Sequence, residues 1–468
     1  MDTGVATRVA VEPIDLRRLA PILGHARVDH LLDAAAGLSR LLAGRRIVNI
    51  NSTAFGGGVA EMLHTLVGYM RGAGLEGDWV VIEGDLEFFA VTKRVHNGLY
   101  GGPGDGGELG EAQHAAYDRV TQWNLERVRP LVRPGDIVIV HDPQPAGLVA
   151  PLVELGAHVI WRCHVGHDGG NAWTERAWAF VRRYVEPSHA FVFSREPFAP
   201  PWIDRGALRA IPPSIDPFAP KNRELRGGEV PALLRGAGLL AGGGAAGDPR
   251  VRHASTVVRD GAPLDPSTPL VVQVSRWDRM KDMEGVMHGF VDHVRDTRAR
   301  LVLAGPETDG VDDDPEGAEV WAEMLADRER LPAVDRARVQ LVAIPMADPV
   351  ENALVVNALQ RHAAVIVQKS LAEGFGLTVA EAMWKTRPVV ASAVGGIVDQ
   401  VADGETGLLV DDPHDLEAFG AAVARLLQDP AEAALLGQNA RRRVEQRFLG
   451  DRHLLDYAAL IRELVTPA

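Results

Sequence analysis

The sequence predicts an α/β protein made of two open, doubly wound parallel sheets that face each other across a cleft. Short runs of Val and Ile alternate with amphipathic helical stretches, a pattern typical of parallel strands buried on both faces. The alternation occurs twice, before and after a Gly- and Ala-rich stretch between residues 227 and 260. The chain has 468 residues, a length that suits two or three ordinary domains. Because open α/β sheets bind ligands at the carboxyl ends of their strands, we expect the functional residues there.

The first sheet is predicted from five short apolar runs. In chain order they are RRIVNIN (residues 45–51), DWVVIEG, DIVIVHD, HVIWRCH and AFVFS. The first run leads into the glycine-rich STAFGGG and then into VAEMLHTLVGYMRGAG, whose apolar spacing predicts an amphipathic helix. Helical stretches also separate the later runs, so the strands are expected to be parallel.

The second sheet is predicted from six such runs. They are PLVVQVS, ARLVLAG, RVQLVAI, AVIVQKS, PVVASAV and TGLLVDD. The stretch that starts at DPAEAALL predicts two helices at the end of the chain. Residues 240–268 read as a long insertion before the second sheet, rich in glycine and turn residues.

Composition and charge exclude several classes of protein. The net charge of −14 argues against a nucleic-acid partner, because phosphate contacts need clustered Lys and Arg. The single cysteine, Cys163, permits neither an internal disulfide nor a cysteine-based zinc cage, which fits a cytoplasmic protein. The first residues carry charges and prolines where a signal peptide needs an apolar core. We expect no membrane span, since no apolar run reaches about 20 residues.

The glycine loop after the first strand, NSTAFGGGVAEML, admits more than one interpretation. Gly56, Gly57 and Gly58 would let the backbone approach a phosphate or sugar at a helix N-terminus. A plain tight turn between strand and helix explains them too. Gly56 and Gly58 also fit the first two positions of a dinucleotide fingerprint, with Glu83 as its acid, but Glu61 stands where the third glycine belongs. That departure weakens the prediction of a nicotinamide enzyme.

A pair of cations follows the first strand of the second sheet, in VVQVSRWDRMKDME. Arg276 and Lys281 would stabilise the charge that a diphosphate leaving group gains. The alternative is that both are surface cations among neighbouring acids.

Two glutamates flank a glycine turn in QKSLAEGFGLTVAEAM, between a predicted strand and helix. The amides of Gly376, Leu377 and Thr378 would suit an anion, which both carboxylates would repel. A carboxylate can instead bind a vicinal diol, so Glu373 would hold a sugar and Glu381 the ribose of a nucleotide-sugar, with the diphosphate between them. The alternative is a capping box in which Glu381 caps its own helix from Thr378 onward, with Glu373 a solvated loop acid.

These motifs resemble a known family. The pattern E-G-F-G-L-T-x-x-E, preceded by S-R-x-x-x-x-K, resembles the retaining GT-B glycosyltransferases of family GT4. The stretches NINSTAFGGGVAEML, GDLEFFAVTKRVHNGLYG, HDPQPAGL, WRCH and QKSLAEGFGLTVAEAMWKTRPVVASAVGGIVDQVADGETGLLV together are similar to the trehalose glycosyltransferring synthases, with retaining trehalose phosphorylases as close relatives. The resemblance covers residues 44–448 and implies two Rossmann-like domains.

The resemblance also implies domain boundaries and residue roles. The acceptor-binding domain would span residues 1–215 and the nucleotide-sugar domain residues 216–445, and a helix in residues 446–468 would cross back to the first domain. The implied catalytic residues are His164, Arg276, Lys281 and Glu373. The implied donor-binding residues are Gly56, Gly57, Gly58, Gly374, Phe375, Gly376, Leu377, Thr378 and Glu381. The implied acceptor-binding residues are Lys93, His96, Asn97, Asp142 and Gln144.

His164 follows a strand, where a packed or loop histidine is the plain alternative, and His141 and His167 share this placement. The DDD of GVDDDPEG suggests a metal site by pattern, but a solvated acidic loop is the common explanation, and the resemblance implies that no metal or cofactor is required.

The expected function is reversible synthesis of α,α-trehalose, with retention, from a nucleoside-diphosphate glucose and glucose. A trehalose phosphorylase, a GT4 enzyme with another acceptor and a non-catalytic nucleotide-sugar sensor stay open as alternatives. The expected partners are therefore nucleotide-sugar and glucose or trehalose, and a homodimer is an open expectation.

Overall fold

The chain divides into two compact units. The computed structural model describes residues 6–54, 57–242, 246–295, 298–308 and 315–466. The first unit comprises Met1–Ser214 and Phe448–Ala468, and the second comprises Ile215–Arg447. The expected domain boundaries lie after residues 215 and 445, and the two units divide after Ser214 and Arg447.

The first unit is built on a seven-stranded sheet in the order β1-β3-β2-β4-β5-β6-β7. Its strands are β1 (Thr7–Arg8), β2 (Ile47–Asn51), β3 (Gly77–Val81), β4 (Ile137–His141), β5 (His158–Cys163), β6 (Ala190–Phe193) and β7 (Leu208–Ala210). β1 pairs antiparallel with β3, and the other strands are parallel. The strand order reverses beside β2, because β3 lies on one side of it and β4 on the other. A ligand-binding crevice forms at such a switch point.

Helices cover this sheet. They are α1 (Ala20–Leu23), α2 (His25–Leu42), α3 (Gly57–Gly72), α4 (Leu86–Leu99), α5 (Glu111–Val128), α6 (Val149–Glu154) and α7 (Ala172–Val185), with 3-10 turns at Leu16–Leu19, Arg129–Leu131, Ala146–Leu148 and Glu196–Phe198. Every residue of β2 and of β4 is buried, as expected of strands covered on both faces.

The second unit repeats this architecture in the order β14-β13-β12-β9-β10-β11-β8. Its strands are β8 (Thr256–Val258), β9 (Leu270–Val274), β10 (Arg300–Pro306), β11 (Val339–Ile344), β12 (Val365–Gln368), β13 (Val389–Ser392) and β14 (Leu408–Val410). β8 pairs antiparallel with β11, and the remaining pairs are parallel. Here the order reverses between β9 and β12, which places the second switch point between those strands.

The helices of the second unit follow its strands. They are α8 (Glu229–Gly236), α9 (Met283–His293), α10 (Pro315–Arg330), α11 (Ala333–Arg336), α12 (Pro349–His362), α13 (Leu377–Trp384), α14 (Ile397–Gln400), α15 (Leu416–Gln428) and α16 (Pro430–Arg447), with a 3-10 turn at Arg279–Lys281.

The predicted α/β fold class with two parallel sheets is confirmed. All eleven predicted apolar runs form strands, and the three strands that sequence reasoning missed are β1, β7 and β8. These have two or three residues and lie at sheet edges, where so short a segment leaves no periodic signal. In the part of the chain that the structure describes, no helix is both long and apolar enough to cross a membrane.

The C-terminal helix α17 (Gly450–Val465) belongs to the first unit. Its Leu460 and Ile461 are buried in a cluster that also contains Leu38 of α2 and Ile139 of β4. The guanidinium of Arg27 on α2 donates to the carboxylate of Asp451 at 2.5 Å. Helix α17 therefore completes a core whose sheet lies far earlier in the sequence.

Replacing Ile461 by alanine should destabilise the first unit. Because the side chain is 1% exposed, its loss leaves a cavity and should lower the free energy of unfolding by about 2–5 kcal/mol. Leu435→Ala is the control, since Leu435 is 56% exposed and should change stability by less than about 0.5 kcal/mol. Guanidinium unfolding followed by circular dichroism measures both, and equal effects would contradict this packing.

Candidate active site

The switch point of the second sheet holds a close ion pair. Lys281 Nζ, in the turn after β9, donates to Oε2 of Glu373, in the loop after β12, at 2.6 Å. The hydroxyl of Ser370 donates to the same oxygen at 3.3 Å. Glu373 is only 8% exposed, so these partners replace hydrogen bonds that water would otherwise donate to its carboxylate. The structure thus joins two residues that the sequence assigned to separate roles.

A second network, which sequence reasoning missed, fixes the backbone around this pair. The side-chain amide of Gln273 donates to the carbonyl of Lys281 at 2.7 Å and accepts from the amide of Lys369 at 3.1 Å. Lys369 is 1% exposed, and its ammonium pairs with Asp282, which caps α9 by accepting from Gly285 at 3.1 Å. Asp282 takes a left-handed backbone conformation with φ of 47°. The turn that carries Lys281 is therefore tied to the end of β12.

Arg276 lies at the same sheet edge and faces solvent more than Lys281 does. Its side chain is 57% exposed, and its guanidinium donates to Asp278 at 3.0 Å. The position suits a contact with an incoming anion, and the surface-cation interpretation of Arg276 stays open.

The loop after β12 turns into α13 at Gly376, whose φ is 84°. The amide of Gln400 donates to the carbonyls of Phe375 and, at 3.2 Å, Gly376. The first amides of an α-helix have no partner within the helix, and the partly exposed Leu377 and Thr378 occupy these positions. This helix N-terminus can accept an anion.

The capping box considered for Thr378 and Glu381 does not form. The helix begins at Leu377, with Gly376 as its N-cap, and the hydroxyl of Thr378 donates to the side chain of Gln368 at 2.9 Å. Glu381 therefore lies inside the helix, where its carboxylate cannot cap the first turn.

Glu381 is buried among cations instead. It is 2% exposed, and Lys221 Nζ approaches its carboxylate to 3.7 Å. The ammonium of Lys385, also buried, donates to the side chain of Asn222 at 3.0 Å and to the Glu381 carbonyl at 3.1 Å. Burial lowers the pKa of Lys385 to about 7, against the opposing effect of the Glu381 charge. Neither lysine was expected, because Lys221 lies outside the quoted motifs and Lys385 was given no role within them.

The glycines after β13 let this loop close. Gly395 has φ of 50°, and a Cβ there would lie 1.7 Å from the Glu373 carbonyl oxygen. A Cβ at Gly396 would lie 2.7 Å from the carbonyl oxygen of Gly374 and from the Cα of Phe375. Only glycine permits this approach, so the segment that carries Glu373 is seated on the β13 loop.

In the first unit, a histidine pair occupies the switch point. His141, at the end of β4, and His164, just after β5, stack with ring centroids 5.3 Å apart. Their Nδ1 and Nε2 atoms, respectively, are 3.0 Å apart, and His141 Nε2 lies 3.0 Å from Asn49 Oδ1 on β2. Arg162 Nε approaches His164 Nδ1 to 3.5 Å. Burial lowers the pKa of both histidines, that of His141 to about 3.

Asp142 lies at the same edge of the first sheet, directly after β4. It has φ of 65°, and its carboxylate accepts from the His164 amide at 2.7 Å. Burial raises the pKa of Asp142 to about 7, while the His164 amide and the Arg162 charge oppose that rise. The carbonyl of the partly exposed Gln144 accepts from the Tyr117 hydroxyl at 3.2 Å.

The predicted acceptor residues share the C-terminal part of α4. Lys93 is exposed, whereas His96 and Asn97 are partly buried. The turn after α4 meets the loop after β5, because Asn171 Nδ2 donates to the Gly101 carbonyl at 2.9 Å. Arg94, which sequence reasoning passed over, anchors that turn through Asp105 at 2.6 Å.

The remaining predictions fall partly outside the described residues. Gly56 lies outside them, as does most of the acidic GVDDDPEG stretch. Gly57 begins α3 with φ of 78°, and it and Gly58 are exposed. The expectations about metal and cofactor stay predictions. Apart from the candidate site, Glu284, His288 and Asp327 bring potential ligand atoms within 4.8 Å of one another.

Comparison with solved structures identifies the fold. One solved structure is described as trehalose-6-phosphate from E. coli bound with UDP-2-fluoro glucose. The alignment covers 90% of this chain and 99% of that chain, with a TM-score of 0.66 and 12% sequence identity. For a sucrose-phosphate synthase from Thermosynechococcus elongatus, the alignment covers 90% of this chain and 99% of that chain, with a TM-score of 0.64 and 19% sequence identity. The two doubly wound units therefore have the GT-B fold.

Sequence comparison gives the family. A family model described as the N-terminal domain of trehalose synthase matches residues 49–200, and one for glycosyl transferases group 1 matches residues 347–443. A trehalose synthase from Pyrococcus horikoshii is 35% identical over 445 residues, 95% of each chain. The chain belongs to the trehalose synthase family and is a hexosyltransferase of trehalose metabolism, which confirms the resemblance seen in the sequence.

Gly395→Ala should displace the Glu373 segment. The new Cβ would overlap the Glu373 carbonyl, so both the unfolding temperature and glycosyl transfer should fall. Gly404→Ala is the matched control, because Gly404 also has positive φ, 70°, but has no atom within 4 Å of an added Cβ. Calorimetry and a transfer assay on both variants measure the difference. Equal losses would show that backbone strain, not the contact with Glu373, sets the effect.

Proposed function

We propose that this protein transfers glucose from a nucleoside-diphosphate glucose to glucose, forming α,α-trehalose with retention, and that the reaction runs in both directions. The observation that carries the proposal is the 2.6 Å pair of Lys281 and Glu373 beside the open N-terminus of α13. Family membership supports the disaccharide, and the UDP-2-fluoro glucose bound to a protein of the same fold supports a nucleotide-sugar donor.

The donor would lie along the carboxyl edge of the second sheet. Glu373, with the backbone of residues 374–376, would accept hydrogen bonds from glucose hydroxyls. The amides of Leu377 and Thr378, together with Lys281 and Arg276, would bind the diphosphate.

Glu381 would receive the ribose hydroxyls of the donor. In the structure Lys221 approaches its carboxylate to 3.7 Å, so a ribose diol would take a place next to this lysine. Lys385 lies behind Glu381, and burial lowers its pKa to about 7 while the Glu381 charge opposes that fall, so Lys385 in its charged form favours the charged form of Glu381.

The acceptor would be held by residues of the first unit. Asp142 and Gln144 follow β4, while Lys93, His96 and Asn97 come from α4. His164, which follows β5, would be the catalytic residue of this unit. The glycines that open α3 would face donor phosphate or acceptor. These assignments extend the family resemblance to the positions that the structure describes.

Retention is proposed to follow a same-face route. The bond between the anomeric carbon and the diphosphate oxygen breaks while the acceptor oxygen bonds to that carbon on the same face. The acceptor proton passes to the departing diphosphate oxygen, and Lys281 and Arg276 stabilise the charge that remains. A double displacement would need a protein nucleophile beneath the anomeric carbon, for which the motifs offer no candidate.

The reaction itself is the first test. Incubation of the protein with trehalose and UDP, ADP, GDP or inorganic phosphate should yield a nucleoside-diphosphate glucose and free glucose with at least one nucleotide. Chromatography of the products identifies the base. Glucose 1-phosphate formed with phosphate alone would make the protein a phosphorylase, and no reaction with any of these would exclude trehalose as substrate.

Lys281→Met should reduce kcat by about 10²–10³-fold, because removal of one preorganised group that stabilises transition-state charge has an effect of that order. The substitution also leaves Glu373 without its ammonium partner, so thermal unfolding of the variant must be measured beside its activity. Arg330→Met is the control, since that arginine is 72% exposed on α10. A folded Lys281→Met enzyme with unchanged kcat would remove Lys281 from the mechanism.

A further inference from the structure

A line of four polar side chains crosses the carboxyl edge of the first sheet. It runs from Arg162 on β5 through His164 and His141 to Asn49 on β2. The successive distances are 3.5 Å from Arg162 Nε to His164 Nδ1, 3.0 Å from His164 Nε2 to His141 Nδ1, and 3.0 Å from His141 Nε2 to Asn49 Oδ1. Both nitrogens of each imidazole thus face a group of the protein.

The chemistry of the end groups fixes the direction of the hydrogen bonds. A guanidinium can only donate, so His164 Nδ1 must be the bare, accepting nitrogen. A neutral His164 then carries its proton on Nε2 and donates it to His141 Nδ1. His141 accordingly carries its own proton on Nε2, where Asn49 Oδ1 accepts it. The two ends of the line require the same direction.

Arg162 carries a guanidinium, which stays charged in proteins, and its main-chain partners are neutral. Its side chain is 0% exposed, and its Nη1 donates to the carbonyls of Ile211 at 2.6 Å and Phe193 at 3.4 Å, which are neutral groups. A proton on His164 Nδ1 would therefore face a cationic N–H directly.

The other titratable groups near His164 come from three elements. They are His141 of β4, Asp142 directly after it, Cys163 of β5 and His453 of α17. On α17, Arg452 acts on His453, and Tyr457 interacts with Arg162. The pKa of His164 is lowered well below its usual value, first by burial and then by Arg162, His141 and His453. Asp142, the one acid among them, has its pKa raised to about 7 by burial. Burial and the neighbouring cation and histidines therefore disfavour a second proton on His164.

We propose that Arg162 is a positioning residue that locks His164 as a neutral imidazole with its proton on Nε2. The lock leaves His164 without a proton-accepting nitrogen for the substrate. His164 is then a fixed, uncharged side chain of the site. It cannot accept the proton of the acceptor hydroxyl, so that proton must pass to another group. The inference rests on the proposed function only where it names His164 as a catalytic residue.

Imidazole NMR of the whole protein tests the lock without any assay of activity. Long-range ¹H–¹⁵N spectra of histidine-labelled protein, with His164 assigned from a His164→Asn variant, report which nitrogen carries the proton. The expected result is a bare Nδ1, a protonated Nε2 and no titration between about pH 5 and pH 8, where an ordinary histidine titrates. A His164 that titrates in this range, or that carries its proton on Nδ1, would overturn the proposal.

Substitution of Arg162 adds the readout that assigns the lock to this residue. In Arg162→Met, His164 Nδ1 loses its donor, so both neutral tautomers of His164 should appear in the spectra, while burial continues to lower the pKa of His164. Arg162→Lys restores a donor and should restore the single form with its proton on Nε2. Arg45→Met is the matched control, because Arg45 also donates to main-chain carbonyls, those of Leu41 and Leu42 at 2.7 and 2.9 Å. A folded Arg162→Met protein whose His164 keeps its proton on Nε2 alone would refute the role of Arg162.

A second variant decides the matter if Arg162→Met does not fold. Asn49→Leu removes the acceptor at the far end of the line and leaves Arg162 in place. If Arg162 sets the tautomer, His164 should keep its proton on Nε2 alone, whereas a mixture of tautomers would overturn the proposal. Since these spectra need no substrate, a failed trehalose assay and a failed lock are separate results.

Discussion

The reversal of strand order beside β2 and between β9 and β12 is the constraint on which both candidate sites depend. At such a reversal the connections leave the sheet in opposite directions, so the loops after the two adjacent strands diverge and leave backbone amides and side chains accessible. In each unit, polar groups of the candidate site follow the strands at the reversal or lie on them. Lys281 and Glu373 follow β9 and β12, and His141 ends β4 beside Asn49 of β2.

Electrostatic preorganisation distinguishes the second site. Three buried or half-buried cations, Lys281, Lys369 and Lys385, each have an oxygen partner within the fold. Removing such charges from water is costly, and each partner offsets part of that cost. The charged groups therefore stand in place before a ligand arrives, and little reorganisation is needed as charge develops on a leaving group.

Sequence reasoning predicted the elements well and the contacts within the sites less well. The Val- and Ile-rich runs predict the long central strands because burial on both faces leaves an unmistakable pattern. The glycine turn marks Glu373 because an anion-binding helix N-terminus needs that backbone.

The pairing of Lys369 with Asp282 could not be predicted from the sequence, because a lysine after an apolar run looks like a solvated residue until the fold buries it. Arg162 was hidden for the same reason: in WRCH it reads as an ordinary strand residue. The capping box failed because Gly376, with its positive φ, starts the helix before Thr378.

The placement of α17 in the first unit has a consequence for protein synthesis. The second unit is one continuous segment, Ile215–Arg447, whereas the first needs Phe448–Ala468 as well as the N-terminal residues. On the ribosome, the N-terminal part of the first unit therefore waits for α17, which is translated after the second unit, because Leu460 and Ile461 fill the cluster around Leu38 and Ile139. The second unit can finish folding while the first still exposes that apolar surface, so the order of maturation runs against the order of translation.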